Sequence, residues 1–160
     1  LLGGCLDPNS AWLALRSIRT MKLRVEKQMK NADALARFLE KDSHVRYVNY
    51  PSLSSHPQHE LASRILPNGC GAMLSFRVQD DREKVNAFIR HLEMIKYLGT
   101  LGGLRTSLAH PATAFRREFT PDQLKAMGME EGLIRISVGI EESEDIIKDV
   151  QTALKVFDQI

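Results

Sequence analysis

Near the C-terminus, Gly132-Leu-Ile-Arg-Ile-Ser-Val-Gly-Ile-Glu141 sets one arginine inside an apolar, β-branched run bounded by Gly132 and Gly139. Leu133, Ile134, Ile136 and Val138 suit a pleated, covered surface, so the run is expected to be a buried strand. A guanidinium cannot lose its charge and is costly to bury without an acceptor. Arg135 therefore requires an anionic partner, either an internal carboxylate or the carboxylate or phosphate of a ligand held bidentately. Residue chemistry alone leaves both open. After the strand, Glu141, Glu142, Ser143, Glu144 and Asp145 supply acid to the first turn of a helix, with Ser143 or Glu142 near its cap. The apolar stripe of that helix is Ile146, Ile147, Val150, Leu154 and Phe157.

At the other end, Asp7-Pro8-Asn9 caps a helical pattern that runs from Ser10 to Lys41, as one helix or as two in series with a kink near Arg16-Ser17. His44 to Tyr50 alternates with period two and stops at Pro51. A short strand is expected there, with Val45, Tyr47 and Asn49 on one face and Val48 and Tyr50 on the other. Pro57 to Leu66 reads as a short helix closed by Pro67-Asn68-Gly69. His56 and His59 have the spacing of one helix face but no third ligand nearby, so they read as solvated surface residues and no metal site is expected. Gly71 to Val78 is the second strand, Asp81 to Leu92 a helix with Val85, Phe88, Ile89 and Leu92 inward, and Met94 to Leu98 the third strand. Gly99 to Thr120 shows no periodicity and is rich in small and polar residues, the kind of irregular segment that carries function. A further helix runs from Thr120-Pro121-Asp122-Gln123 to Gly128. This order implies an α+β fold: a small, largely antiparallel sheet of about four strands covered by helices on one face.

At 160 residues and 43% hydrophobic side chains, the chain suffices for one domain with a real core. Its 22 basic and 20 acidic residues are spread without an arm or block, which argues against nucleic acid and membrane partners. No aromatic RNA-stacking platform motif occurs, and no apolar run is long enough to span a bilayer. Cys5 and Cys70 are too few and too distant for a disulfide framework or a zinc site, so a reducing, cytoplasmic setting is expected. The opening Leu1-Leu2-Gly3-Gly4, without an initiator methionine, is expected to be an internal cut.

Several stretches in a fixed order carry a resemblance: Leu6 to Thr20 with Arg24, Asn31-Ala32, Val48-Asn-Tyr-Pro51, Gly69 to Phe76, Leu101-Gly-Gly103, His110-Pro-Ala-Thr113, and Gly132 to Glu141. Together they resemble the C-terminal domain of the Cys/Met-metabolism, or trans-sulfuration, family of pyridoxal-phosphate enzymes, which includes cystathionine γ-synthase, cystathionine lyases, methionine γ-lyase and O-acylhomoserine sulfhydrylases. The resemblance implies part of a lyase or transferase acting on a sulfur amino acid, as a cytoplasmic homo-oligomer, dimer or tetramer. It implies that Arg135 binds the substrate α-carboxylate, that Thr100 stands for the family's serine before Leu-Gly-Gly, and that Leu101 adds backbone and wall contacts. Gly99 occupies the position where many cystathionine-handling members have a glutamate, which points toward methionine, homocysteine or acylated homoserine. Ala114-Phe115 replaces the family's Thr-His, and Ser17 replaces the glycine of its Arg-Gly-Leu-Lys-Thr pattern.

The same resemblance implies pyridoxal 5'-phosphate, held by a Schiff-base lysine, a carboxylate on the pyridine nitrogen and a stacking aromatic. In the family these precede the matched region, and no lysine here has the Ser-x-Thr-Lys context. Residues 1–160 are thus expected to form a single substrate-carboxylate-binding domain without the cofactor domain. The chain would hold no catalytic residue and be inactive alone. The alternative is a non-catalytic assembly domain derived from the same fold.

Overall fold

The computed structural model describes residues 4–158, so the first three residues of the opening Leu1-Leu2-Gly3-Gly4 lie outside the described residues. Helix α1, Pro8–Ile18, begins where the Asp7 carboxylate accepts from the Asn9 and Ser10 amides, with Pro8 in the first turn. The helix yields to α2, Met21–Leu39, at Arg19-Thr20, just beyond the expected kink. The Arg24 guanidinium bridges the break by donating to the Ser17 carbonyl at 2.9 Å, which also accepts from the Thr20 amide and hydroxyl. Only α2 turns a face inward, burying Gln28, Asn31, Ala32, Leu35, Ala36 and Leu39; α1 buries none of its side chains.

The sheet has five strands: β1 Tyr47–Asn49, β2 Met73–Arg77, β3 Lys96–Tyr97, β4 Ser107–Ala109 and β5 Leu133–Ser137, in the spatial order β1-β2-β5-β4-β3. All neighbours run antiparallel except β3 and β4, which are parallel. The sequence supports about four strands because β4 lies inside the stretch that reads as irregular. Its three residues are too few to display a period of two. Four shorter or intervening helices follow in chain order: α3 His59–Ile65, α4 Arg82–His91, α5 Pro111–Ala114 and α6 Pro121–Ala126. Helix α7, Ser143–Leu154, runs into a 3-10 turn at Lys155–Asp158.

Alternation along the strands divides the sheet sharply. Val48, Leu74, Phe76, Leu108, Ile134 and Ile136 face the layer of α2, α4 and α7 and are buried. Phe88 of α4 meets Phe76 edge-on, with ring centroids 6.2 Å apart. Each such side chain contributes about 1.5–3 kcal/mol by leaving water. On the opposite face the register aligns Asn49, Ser75, Arg135 and Ala109 in one row across four strands, with Met73, Ser137 and Ser107 in the next. No helix of the α2/α4/α7 layer covers this second face.

His56 departs from the surface expectation. It is buried, its Nε2 lies 2.8 Å from Asn49 Oδ1, and its Nδ1 accepts from the Gln58 amide. The loop between Pro51 and Pro57 folds back on the end of β1 and uses the ring as an internal staple. His59 is half-buried against the Pro51 carbonyl.

A second histidine gives the fold a pH dependence. His44 lies 2.8 Å from both Asp42 Oδ1 and Asp158 Oδ1, tying the approach to β1 to the 3-10 turn at the other end of the chain. The bond to Asp158 holds its pKa above the ordinary histidine value; Asp42 adds to this and partial burial opposes it. A group with a raised folded-state pKa stabilises fully below its unfolded pKa, and the contribution disappears as pH rises through the folded value. The Tm advantage of the native chain over His44→Gln should therefore be full below about pH 6.5 and shrink as pH rises above it. Parallel thermal melts check this, and an advantage that grows with pH would contradict it.

Candidate functional site

Arg135 stands at the middle of β5, where Ile134 and Ile136 fix the backbone in the core and hold its side chain on the open face. Its cross-strand neighbours, Ser75 and Ala109, are small and leave the half-buried guanidinium a way outward. Among the described residues it has no ion-pair or hydrogen-bond partner. The carboxylates of Asp33, Asp80, Glu130, Glu131 and Glu142 are taken by Arg37, Arg46, Arg77, Arg82 and Lys27. Arg77, on the same face of the sheet, is an internal control: it pairs with Glu130 at 2.7 Å and donates to the Gly128 carbonyl at 3.1 Å. Of the two partners the sequence leaves open for Arg135, the internal carboxylate is absent.

The irregular segment after β3 brings hydroxyls to the same face. Thr100 Oγ1 lies 2.6 Å from Ser107 Oγ, and Ser107 is registered opposite Ser137, two residues along the strand from Arg135. Ser137 Oγ in turn accepts from the Gly102 amide at 3.2 Å. Thr100 is thus linked through Ser107 to the row of the sheet next to that of Arg135. Leu101 is 72% exposed. Gly99 is exposed, and a Cβ built there meets no atom within 4 Å.

A second set of groups holds this loop in place. Gln28 Nε2 donates to the Gly103 carbonyl at 2.7 Å, and the Ile140 amide donates to the Leu104 carbonyl at 3.0 Å. The Glu141 carboxylate accepts from the Thr106 amide at 2.7 Å and the Thr106 hydroxyl at 2.9 Å, while that hydroxyl accepts from the Gly139 amide. Asn31 Nδ2 donates to the Gly139 and Glu141 carbonyls. Glu141 thus acts as a loop anchor, where the sequence suggests acid for the turn that follows. Ser107 belongs to the small and polar residues of the irregular segment, whereas Ser137 is signalled only by its place two residues after Arg135 in a period-two strand. This arrangement can clamp an anion between a forked cation and hydroxyl donors.

Residues 1–155 match the family model described as Cys/Met metabolism PLP-dependent enzyme. The chain belongs to this family. It is 37% identical over 155 residues to a homocysteine synthase of Schizosaccharomyces pombe, covering 97% of this chain and 36% of the relative. It is also 37% identical to a cystathionine gamma-lyase of Mus musculus, covering 96% of this chain and 38% of that protein. A cystathionine gamma synthase from Xanthomonas oryzae pv. oryzae, solved in complex with cystathionine, superposes with a TM-score of 0.86 at 36% identity, covering 95% of this chain and 39% of the other. The chain therefore spans less than two-fifths of the length of these Cys/Met-metabolism relatives.

Pyridoxal phosphate is the cofactor of the family, yet this face does not fit it alone. The row of Asn49, Ser75, Arg135 and Ala109 carries no lysine, and Lys96 at the sheet edge donates its ammonium to the Glu93 carbonyl. The exposed aromatic of this face, Tyr47, stands on the edge strand opposite Arg77. His110 is buried between Thr113 Oγ1 and the Glu131 carbonyl at 2.8 Å each, and burial lowers its pKa; it caps α5 and faces no open site.

Proposed function

We propose that this chain is the substrate-carboxylate-binding part of a pyridoxal-phosphate-dependent lyase or transferase of sulfur amino acids. The observation that supports the reading best is Arg135, half-buried in a strand and unpaired among the described residues, beside the Thr100–Ser107 hydroxyl pair. In this reading the guanidinium fork takes both oxygens of an α-carboxylate. With Ser107 donating to Thr100, the Thr100 proton is free to reach one of those oxygens, and the Gly102–Ser137 bond keeps the loop from swinging away. Binding the end of the substrate that does not react orients the rest of it toward the reacting groups. The cofactor and its lysine belong to another part of the assembled protein. The outer surface of α1, with Trp12, Leu15 and Ile18 about 60% exposed, is the kind of apolar area a further protein body covers. The assembly, in this reading, is a cytoplasmic homo-oligomer.

Borohydride reduction in the presence of pyridoxal phosphate tests the division of labour. The 160-residue chain should keep its mass and turn over no sulfur amino acid, whereas the complete protein should gain one pyridoxyl group outside this segment. A stoichiometric adduct on a lysine of this chain that abolished activity would overturn it.

Gly99 extends the reading to specificity. It places no carboxylate where a second ammonium would lie, so in the assembled enzyme methionine or an acylated homoserine is expected to outperform cystathionine in kcat/KM. The space around it is open, so Gly99→Glu can be made without a clash. A charge partner in a partly dry pocket is worth about 1.5–3 kcal/mol, so this variant should gain roughly tenfold to a hundredfold for cystathionine relative to methionine. A native preference for cystathionine, unchanged in the variant, would refute the assignment.

A further inference from the structure

The segments just after β2 and just before β5 enclose a cleft of about 510 Å3 with α5, α6 and the loop between them. This volume lies within the range of small-molecule sites. It shares no lining residue with the Arg135, Thr100, Ser107 and Ser137 patch. Phe119, Leu124 and Met129 form its apolar floor, and the Thr120–Gln123 capping box holds the turn that carries Leu124.

The charged rim is unevenly matched. Asp80, Glu130 and Glu131 are paired with Arg46, Arg77 and Arg82, whereas Arg116 and Lys125 have no ion pair among the described residues. The cleft is therefore left with two uncompensated cations. Glu131 adds a second mismatch. Its Oε1 lies 3.7 Å from Arg82, but its Oε2 is closed off from solvent without a hydrogen-bond donor, with His110 Nε2 3.9 Å away. That nitrogen is already committed to the Glu131 carbonyl at 2.8 Å. An acceptor shut from water and left without a donor is costly and uncommon in folded proteins.

We propose that this cleft binds a small amphipathic carboxylic acid that also carries an N–H or O–H donor, with its carboxylate on Arg116 and Lys125, its apolar body on Phe119, Leu124 and Met129, and its donor on the part of the Glu131 carboxylate that faces the cleft. Each part of such a ligand answers one feature of the cleft: the free cations, the apolar floor and the half-buried Glu131 carboxylate. An apolar amino acid and an apolar hydroxy acid share this chemistry.

Three related compounds test it on the 160-residue chain by two-dimensional NMR: L-phenylalanine, 3-phenylpropionate, which lacks the donor, and phenethylamine, which lacks the carboxylate. L-3-phenyllactate tells the hydroxy-acid form from the amino-acid form. Phenylalanine or phenyllactate should shift the amides of Leu124, Lys125 and Met129 to Glu131 saturably. Removing the donor or the carboxylate should weaken binding about tenfold, the scale of one charge-assisted hydrogen bond. Arg116 and Lys125 are exposed, so Arg116→Ala and Lys125→Ala should fold normally and lose binding by a similar factor. Arg135→Ala should leave these amide shifts unchanged, which separates the cleft from the proposed substrate site. No saturable shift, equal affinity for all compounds, or shifts indifferent to Arg116→Ala and Lys125→Ala would overturn the proposal.

Discussion

In the assembled enzyme, Arg135→Ala should lower kcat/KM for its sulfur amino-acid substrate by about thirtyfold to several thousandfold, or about 2–5 kcal/mol, while the fold is barely affected. The asymmetry follows from what surrounds the guanidinium. No protein carboxylate faces it among the described residues, so truncation strands no internal anion; the bound substrate loses its partner instead. Arg135→Lys keeps the charge but gives up the planar fork, so it should recover only part of the loss. Had the side chain been satisfied internally, as Arg77 is by Glu130, truncation would leave a buried anion and destabilise the fold by about 3–5 kcal/mol. Thermal melts of the chain and steady-state kinetics of the whole protein, on the same two variants, discriminate between these outcomes. A steep fall in Tm with kinetics intact would remove Arg135 from the site.

Gly139→Ala should be nearly as damaging, by a different route. A Cβ at this position would come within 2.5 Å of the Leu104 carbonyl oxygen and 2.6 Å of the Arg105 carbonyl carbon, and it would press on the Glu141 carboxylate. Two of these three neighbours are backbone, so the strain cannot be relieved by turning a side chain. The loop itself has to move, and Thr100 moves with it. The expected cost is about 1–3 kcal/mol of stability, typical of forced overpacking. Loss of substrate affinity should accompany it, because the Thr106–Glu141 anchor and the Gly102–Ser137 bond cannot both be kept. Denaturant melts with a substrate titration measure the two effects. A variant of native stability and native KM would show that the loop tolerates the displacement and that its position is not set by Gly139.

Arg135 could be singled out from the sequence because a permanently charged residue in an apolar, β-branched run creates a physical demand that only an anion meets. The sequence left the identity of that anion open, and among the described residues no carboxylate pairs with the side chain. The hydroxyl patch was harder to see. Ser107 belongs to a three-residue strand whose pairing with β5 depends on partners about thirty residues away, and no local pattern encodes that. Glu141 was misleading for a related reason: five consecutive acidic or capping residues look alike in a sequence, yet only one carboxylate reaches back to the Thr106 amide. His56 shows the same limit. Its burial depends on how a proline-rich loop folds onto β1, which spacing does not reveal. The division of the N-terminal pattern into two helices in series was more legible, since helical periodicity and capping chemistry are local, although the break falls at Arg19-Thr20, beyond Arg16-Ser17.

The most direct measurement of the central claim is the NMR signal of the Arg135 side-chain Nε–H in the 160-residue chain, followed as L-methionine and then L-methioninol are added. Methioninol keeps the side chain and the ammonium but lacks the carboxylate. Methionine should move the signal saturably and more weakly in Thr100→Ala, and methioninol should leave it in place. A signal that ignores methionine, or that responds equally to both compounds, would contradict the carboxylate clamp.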